Sequence, residues 1–159
     1  MKKIFSFVSF FWQKFKLLLD FSNKKDLSCL STDATVELRK LGNSCALTAL
    51  SRVKPKLSYD DISDAFYNCC DQWPSSGVKH NEFNVALRYL NIFDNFIYAD
   101  NSQSNLRFSD YSRKKGVYIL LIPGHYTVLY NGKIYDSYGY GNLSKSTKVY
   151  CSWLLSTGK

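Results

Sequence analysis

The segment His125-Tyr-Thr-Val-Leu-Tyr-Asn-Gly-Lys-Ile-Tyr-Asp136 consists of two runs of strand-forming residues joined by Asn131-Gly132. Aromatic and β-branched side chains fit a pleated, half-buried surface, and Asn-Gly supplies the two positive-φ positions of a tight hairpin turn. The pattern predicts a hairpin in which Tyr130 pairs with Lys133, hence Leu129 with Ile134 and Thr127 with Asp136. Side chains alternate faces along a strand, which groups His125, Thr127 and Leu129 with Ile134, Asp136 and Tyr138. The diagonal from His125 to Asp136 is then about 7 Å or less between Cβ atoms. A two-residue turn thus predicts a carboxylate within reach of an imidazole.

Outward from this hairpin, Gly116-Val-Tyr-Ile-Leu-Leu-Ile122 is an almost unbroken apolar run, expected of a buried strand. Pro123-Gly124 interrupts it before His125. Phe96–Ala99 and Lys148–Trp153 read as further strands. Upstream, the period becomes helical. Asn43 and Ser44 are cap-type residues, and a helix is expected from there through Arg52, with Pro55 stopping it. Ser58, with Asp61 three residues on, predicts a capping box and a second helix that turns Ile62, Ala65 and Phe66 inward. Asp71 to Lys79 reads as a loop, and about Glu82 to Leu90 as a third helix with Phe83, Leu87 and Leu90 on its apolar face. Helices first and antiparallel strands afterwards indicate an α+β domain, helices packed on an antiparallel sheet, spanning about residues 36–159.

The chain has 159 residues, 45% of them hydrophobic, which suffices for one domain with a real core. Its net charge of +8 is uneven, because residues 1–25 carry six lysines against one aspartate. A nucleic-acid binder displays its basic stripe on the folded domain; here the charge sits on an extension, so no nucleic-acid partner is expected. Residues 1–22 read as an amphipathic helix, with Ile4, Phe5, Phe7, Val8, Phe11, Trp12, Phe15, Leu18 and Leu19 on one broad face. The apolar run is too short to span a bilayer and lacks the features of a signal peptide. Such a helix suits a membrane interface, and it equally suits packing on its own domain or on a partner protein. Residues 23–35 read as a linker. The five cysteines, at 29, 45, 69, 70 and 151, have no zinc-like spacing, and no metal or organic cofactor is expected.

Of these thiols, Cys45 stands at the start of the predicted first helix. A cysteine is nucleophilic as the thiolate, and a helix N-terminus favours that negative charge. The chain holds two histidines. His80 lies in the polar approach to a helix, whereas His125 opens a strand and has Asp136 across the hairpin. Cys45 as nucleophile, His125 as base and Asp136 as orienting group follow the logic of thiol hydrolases.

The segments Leu41-Gly-Asn-Ser-Cys-Ala-Leu-Thr-Ala-Leu50, Leu57-Ser-Tyr-Asp-Asp-Ile62, Gly124-His-Tyr-Thr-Val128, Gly132-Lys-Ile-Tyr-Asp-Ser137 and Lys148-Val-Tyr150 resemble the papain-like cysteine peptidases common in bacteriophage genomes. The resemblance covers about residues 41–153. It implies a papain-like fold with Cys45, His125 and Asp136 as the catalytic triad, acting by acyl transfer on an amide or isopeptide bond of a protein or peptide substrate. Where papain-like enzymes usually place an oxyanion-donating Gln, this chain has Arg39 and Lys40, so Asn43 and the Cys45 backbone N–H become the oxyanion candidates. Tyr138 and Tyr140 are candidates for a substrate-binding wall. The implied location is the cytoplasm of a host cell, at the inner membrane if residues 1–20 dock there. The competing expectation is a catalytically inactive scaffold of the same fold that docks at a membrane and engages a host protein.

Overall fold

The computed structural model describes residues 37–71, 73–136 and 143–156. The expectations for residues 1–35, and for Tyr138 and Tyr140, lie outside them. In chain order the elements are α1 (Cys45–Val53), α2 (Tyr59–Cys69), α3 (His80–Tyr89), a 3₁₀ turn (Phe93–Asn95), β1 (Phe96–Asp100), α4 (Phe108–Tyr111), β2 (Val117–Ile122), β3 (His125–Tyr130), β4 (Lys133–Tyr135) and β5 (Cys151–Leu155). The strands form one five-stranded sheet in the order β1-β5-β2-β3-β4, every pair antiparallel. The domain is therefore α+β, with helices packed on an antiparallel sheet. Among the described residues, no helix is long and apolar enough to cross a membrane.

Helix α1 is buried nearly all round. Ala46, Leu47, Thr48, Ala49, Leu50, Ser51 and Val53 are all inaccessible, and they pack with Ile62, Phe66, Phe83 and Leu87 of α2 and α3 and with Ile119, Val128 and Trp153 of the sheet. Small residues make this close approach feasible. The two buried hydroxyls are satisfied within the helix: Thr48 Oγ1 donates to the Ser44 and Cys45 carbonyls and Ser51 Oγ to the Thr48 carbonyl. At the sheet's centre, Trp153 is fully buried; its indole N–H donates to Asn84 Oδ1 at 2.7 Å, and its ring lies 4.8 Å from that of Phe83.

Helix α2 begins as expected, with Ser58 and Asp61 exchanging the two bonds of a capping box. Helix α3 starts at His80, two residues before the expected Glu82, because Glu82 folds back onto the Lys79 N–H from the third helical position. The last strand also differs from its expectation. Regular pairing runs from Cys151 to Leu155, whereas Lys148 only bridges Arg107 and the Val149 and Tyr150 N–H groups bond the Leu106 and Leu121 carbonyls. The one-turn helix α4 escaped the sequence reading, being too short for a periodic signal. It belongs to a second cluster in which Phe108 and Tyr111 cover Tyr118, Leu120, Ile122 and Leu129.

The β3–β4 hairpin has the expected register, Tyr130 with Lys133 and Leu129 with Ile134. Asn131 and Gly132 both have positive φ, 48° and 80°, as a type I′ turn requires. Asn131 also fastens the turn to the start of β2: its N–H donates to the Gly116 carbonyl and its Oδ1 accepts from the Gly116 N–H. A Cβ on Gly132 would lie 2.1 Å from the Ser112 carbonyl oxygen, while one on Gly124 (φ 69°) would meet nothing within 4 Å. Ala at Gly124 should therefore cost only the left-handed strain, about 1–2 kcal/mol. Gly132→Ala should lose clearly more, because backbone must move as well. Urea denaturation of the two variants checks this, and equal losses would mean that α4 does not fix the turn.

Candidate active site

Each member of the site is held by a different local device. Cys45 is the first residue of α1, with Ser44 at the N-cap position and Asn43 in the left-handed region at φ 51°. The burial of α1 leaves this end of the helix no freedom to shift, yet Cys45 itself remains partly accessible. His125 is the first residue of β3, directly after the Pro123-Gly124 turn, and pairs with Ile122 across that hairpin. Asp136 follows the last residue of β4, opposite Thr127 if the register is continued by one position.

The expected diagonal closes. His125 Nε2 and Asp136 Oδ2 are 2.5 Å apart, and their side chains are 6% and 2% exposed, so the contact is shielded from water. The Cys45 thiol acts on the same ring, as a second group that raises the imidazole pKa. Of the three residues named from sequence, His125 and Asp136 are in direct contact, and Cys45 raises the pKa of the same imidazole.

The electrostatics favour an imidazolium. Burial alone pulls the His125 pKa down, but the hydrogen bonds and charges of Asp136 and Cys45 outweigh it and raise the value to about 9, from an ordinary 6.5. Among the other described thiols, Cys151 meets the Tyr98 hydroxyl at 3.7 Å, but burial outweighs that contact. Burial pushes Cys69 and Cys151 up and takes Cys70 to about 12, where Glu82, Cys69 and Asp71 add to the effect. Cys70 and Cys151 are core thiols and Cys69 is half-buried against the core, and all three have little thiolate at neutral pH.

Asn43 is committed elsewhere. Its Nδ2 donates to the Pro74 carbonyl at 2.8 Å, which ties the approach to α1 to the 71–77 loop. His80 opens α3, and its charge acts on Asp100. Among the described residues no cluster of His, Cys, Asp and Glu has the arrangement of a metal site. Sequence reasoning missed Arg52, which shares a small cavity of about 10 Å³ with Asp136, Thr127, Thr48 and Tyr135. The available signal was its spacing: seven residues after Cys45 is almost two full turns, so both stand on one face of α1.

Compared with known proteins, the chain matches no family model, no curated protein and no solved structure.

The raised His125 pKa has a stability consequence with a definite sign. Because the folded-state value lies above the unfolded one, the stabilisation is complete below about pH 6.5 and disappears as pH rises through about 9. Asp136→Asn removes the largest raising contribution, so the His125 ring titration followed by NMR should fall from about 9 toward or below 6.5. A midpoint that stays near 9 in this variant would exclude Asp136 as the group that holds the proton on His125.

Proposed function

We propose that this protein is a papain-like cysteine hydrolase that acts on an amide or isopeptide bond of a protein or peptide substrate. One observation carries the reading: a buried histidine is held through Nε2 by the Asp136 carboxylate and has its pKa raised by that carboxylate and by Cys45, a partly accessible cysteine at the start of a buried helix. The general layout agrees with it, since helices bearing the nucleophile pack on an antiparallel sheet bearing the base and its orienting group.

The chemistry follows from the charges. Proton transfer from Cys45 to His125 gives a thiolate–imidazolium pair, which the N-terminus of α1 and the Asp136 carboxylate favour from opposite ends. The sulfur attacks the substrate carbonyl carbon, and the carbonyl π pair moves onto oxygen. Backbone N–H groups of the first turn of α1 have no partner within the helix, so the Cys45 N–H is the natural donor to that oxyanion, the Asn43 amide being engaged by the Pro74 carbonyl. Collapse of the tetrahedral species breaks the C–N bond, and the imidazolium proton goes to the leaving amine. His125, now neutral, takes a proton from water as the water oxygen attacks the thioester, and a second collapse returns the proton to sulfur and releases the acid. An amine in place of water would give transfer through the same steps.

The test is labelling of the full-length protein with an electrophilic amide-mimicking probe. Wild type should label at Cys45 in preference to the other four cysteines. Cys45→Ala should lose that label outright, and His125→Ala should slow it by about 10²-fold or more, the usual contribution of a general base. Labelling that is equal across all five cysteines would refute the hydrolase reading and favour an inert scaffold of the same architecture.

A further inference from the structure

Arg52 is a charged side chain in an otherwise apolar and small-residue helix, Cys-Ala-Leu-Thr-Ala-Leu-Ser-Arg-Val. Its position on α1 places it about 10.5 Å along the axis from Cys45, on the same face. The start of β3 and the end of β4 bring Asp136 to His125. Arg52 lines the small cavity behind Asp136. The Asp136 carboxylate therefore meets the His125 imidazole and shares a small cavity with Arg52.

We propose that Arg52 is a positioning residue, whose guanidinium balances and anchors the buried Asp136 carboxylate so that Asp136 can orient His125. The catalytic meaning of this pairing rests on the acyl-transfer reading above, but the pairing itself is measurable without it. A carboxylate only 2% exposed is costly unless paired. His125 alone compensates it only while protonated, whereas the histidine must lose and regain its proton in every cycle. A permanent cation close by keeps Asp136 charged through both states. Arginine suits this role because it stays protonated at any working pH.

The electrostatics of Arg52 agree. Burial pulls its pKa below the ordinary arginine value, and Asp136 acts against that pull as the favourable charge, with Arg39 a nearby like charge. Thr127 faces the same cavity, and its buried hydroxyl has no hydrogen-bond partner among the described residues. The other titratable or charged groups around the pair are Cys45 on α1, Arg39 ahead of it, His125 and Tyr126 on β3, and Tyr135 on β4.

The deciding measurement is the carboxyl ¹³C titration of Asp136 in the full-length protein. An opposite charge close by lowers a carboxyl pKa by about one to three units. Arg52→Met, which keeps most of the stem's volume but removes the charge, should raise the Asp136 midpoint by about one pH unit or more. Arg52→Lys, which keeps the charge, should leave most of that shift undone. A midpoint that does not move in Arg52→Met overturns the proposal. If Arg52→Met fails to fold, thermal melting of Arg52→Met combined with Asp136→Asn decides instead. Recovery of a folded protein in the double variant supports the pairing, and a double variant no better than the single one overturns it. Iodoacetamide separates the two readings. An Asp136 shift without selective alkylation of Cys45 in wild type supports the pairing while removing the hydrolase reading. Selective alkylation with an unmoved Asp136 midpoint overturns the pairing and leaves the triad.

Discussion

Helix α1 has almost no face to give to solvent, and the placement of everything else follows from that. Ala46, Leu47 and Leu50 are fully buried and Ala49 nearly so; each large apolar side chain withdrawn from water contributes about 1.5–3 kcal/mol. A helix enclosed between a sheet and two further helices cannot rotate or slide without opening a cavity on one side and a clash on the other. Its first residue is therefore held as firmly as its middle. Cys45 gains a fixed position from core packing that its own side chain takes little part in.

The sheet meets this fixed end with two turns in series. Pro123-Gly124 returns the chain from β2 so that His125 opens β3, and Asn131-Gly132 returns it again so that Asp136 closes β4. The second turn is locked from outside: Asn131 bonds both backbone groups of Gly116, and Gly132 lies against the Ser112 carbonyl just after α4. Helix α4 is in turn tied to the central strands, since Asn101 Nδ2 donates to the Tyr111 hydroxyl and that hydroxyl donates to Ser152 Oγ. A short helix far along the chain from either partner thus supports the register on which the His125–Asp136 contact depends.

Desolvation and pairing oppose each other at the site, and their magnitudes decide its protonation. Burial disfavours every charged form, and for Cys69, Cys70 and Cys151 it has no opponent of comparable size, so those thiols are pushed up. At His125 the same burial is outweighed by two groups that carry or develop negative charge. Low dielectric penalises an isolated ion but strengthens a paired one. One domain can therefore keep three thiols inert and place the fourth described thiol beside an imidazolium.

What the sequence determined by itself was whatever a few neighbouring residues settle by their own backbone preferences. Asn131-Gly132 tolerates two positive φ angles and so dictated the turn, the register and the approach of Asp136 to His125. Ser58 and Asp61 dictated a helix start through a reciprocal pair of local hydrogen bonds. The tertiary structure decided what depends on residues distant in the chain. The strand order β1-β5-β2-β3-β4 was not legible, because strand propensity does not name a neighbour. The start of β5 was misjudged because Lys148, Val149 and Tyr150 have strand composition, yet they bond to Arg107, Leu106 and Leu121 instead of joining the regular ladder. Asn43 carried a legible cap signal, but its amide went to the Pro74 carbonyl of a loop about thirty residues away. Arg52 shared a helix face with Cys45 from the outset, and only the folding of β4 onto β3 brought Asp136 to it. Backbone conformation is written locally, whereas the company a buried charge keeps is set by which distant surfaces the core forces together.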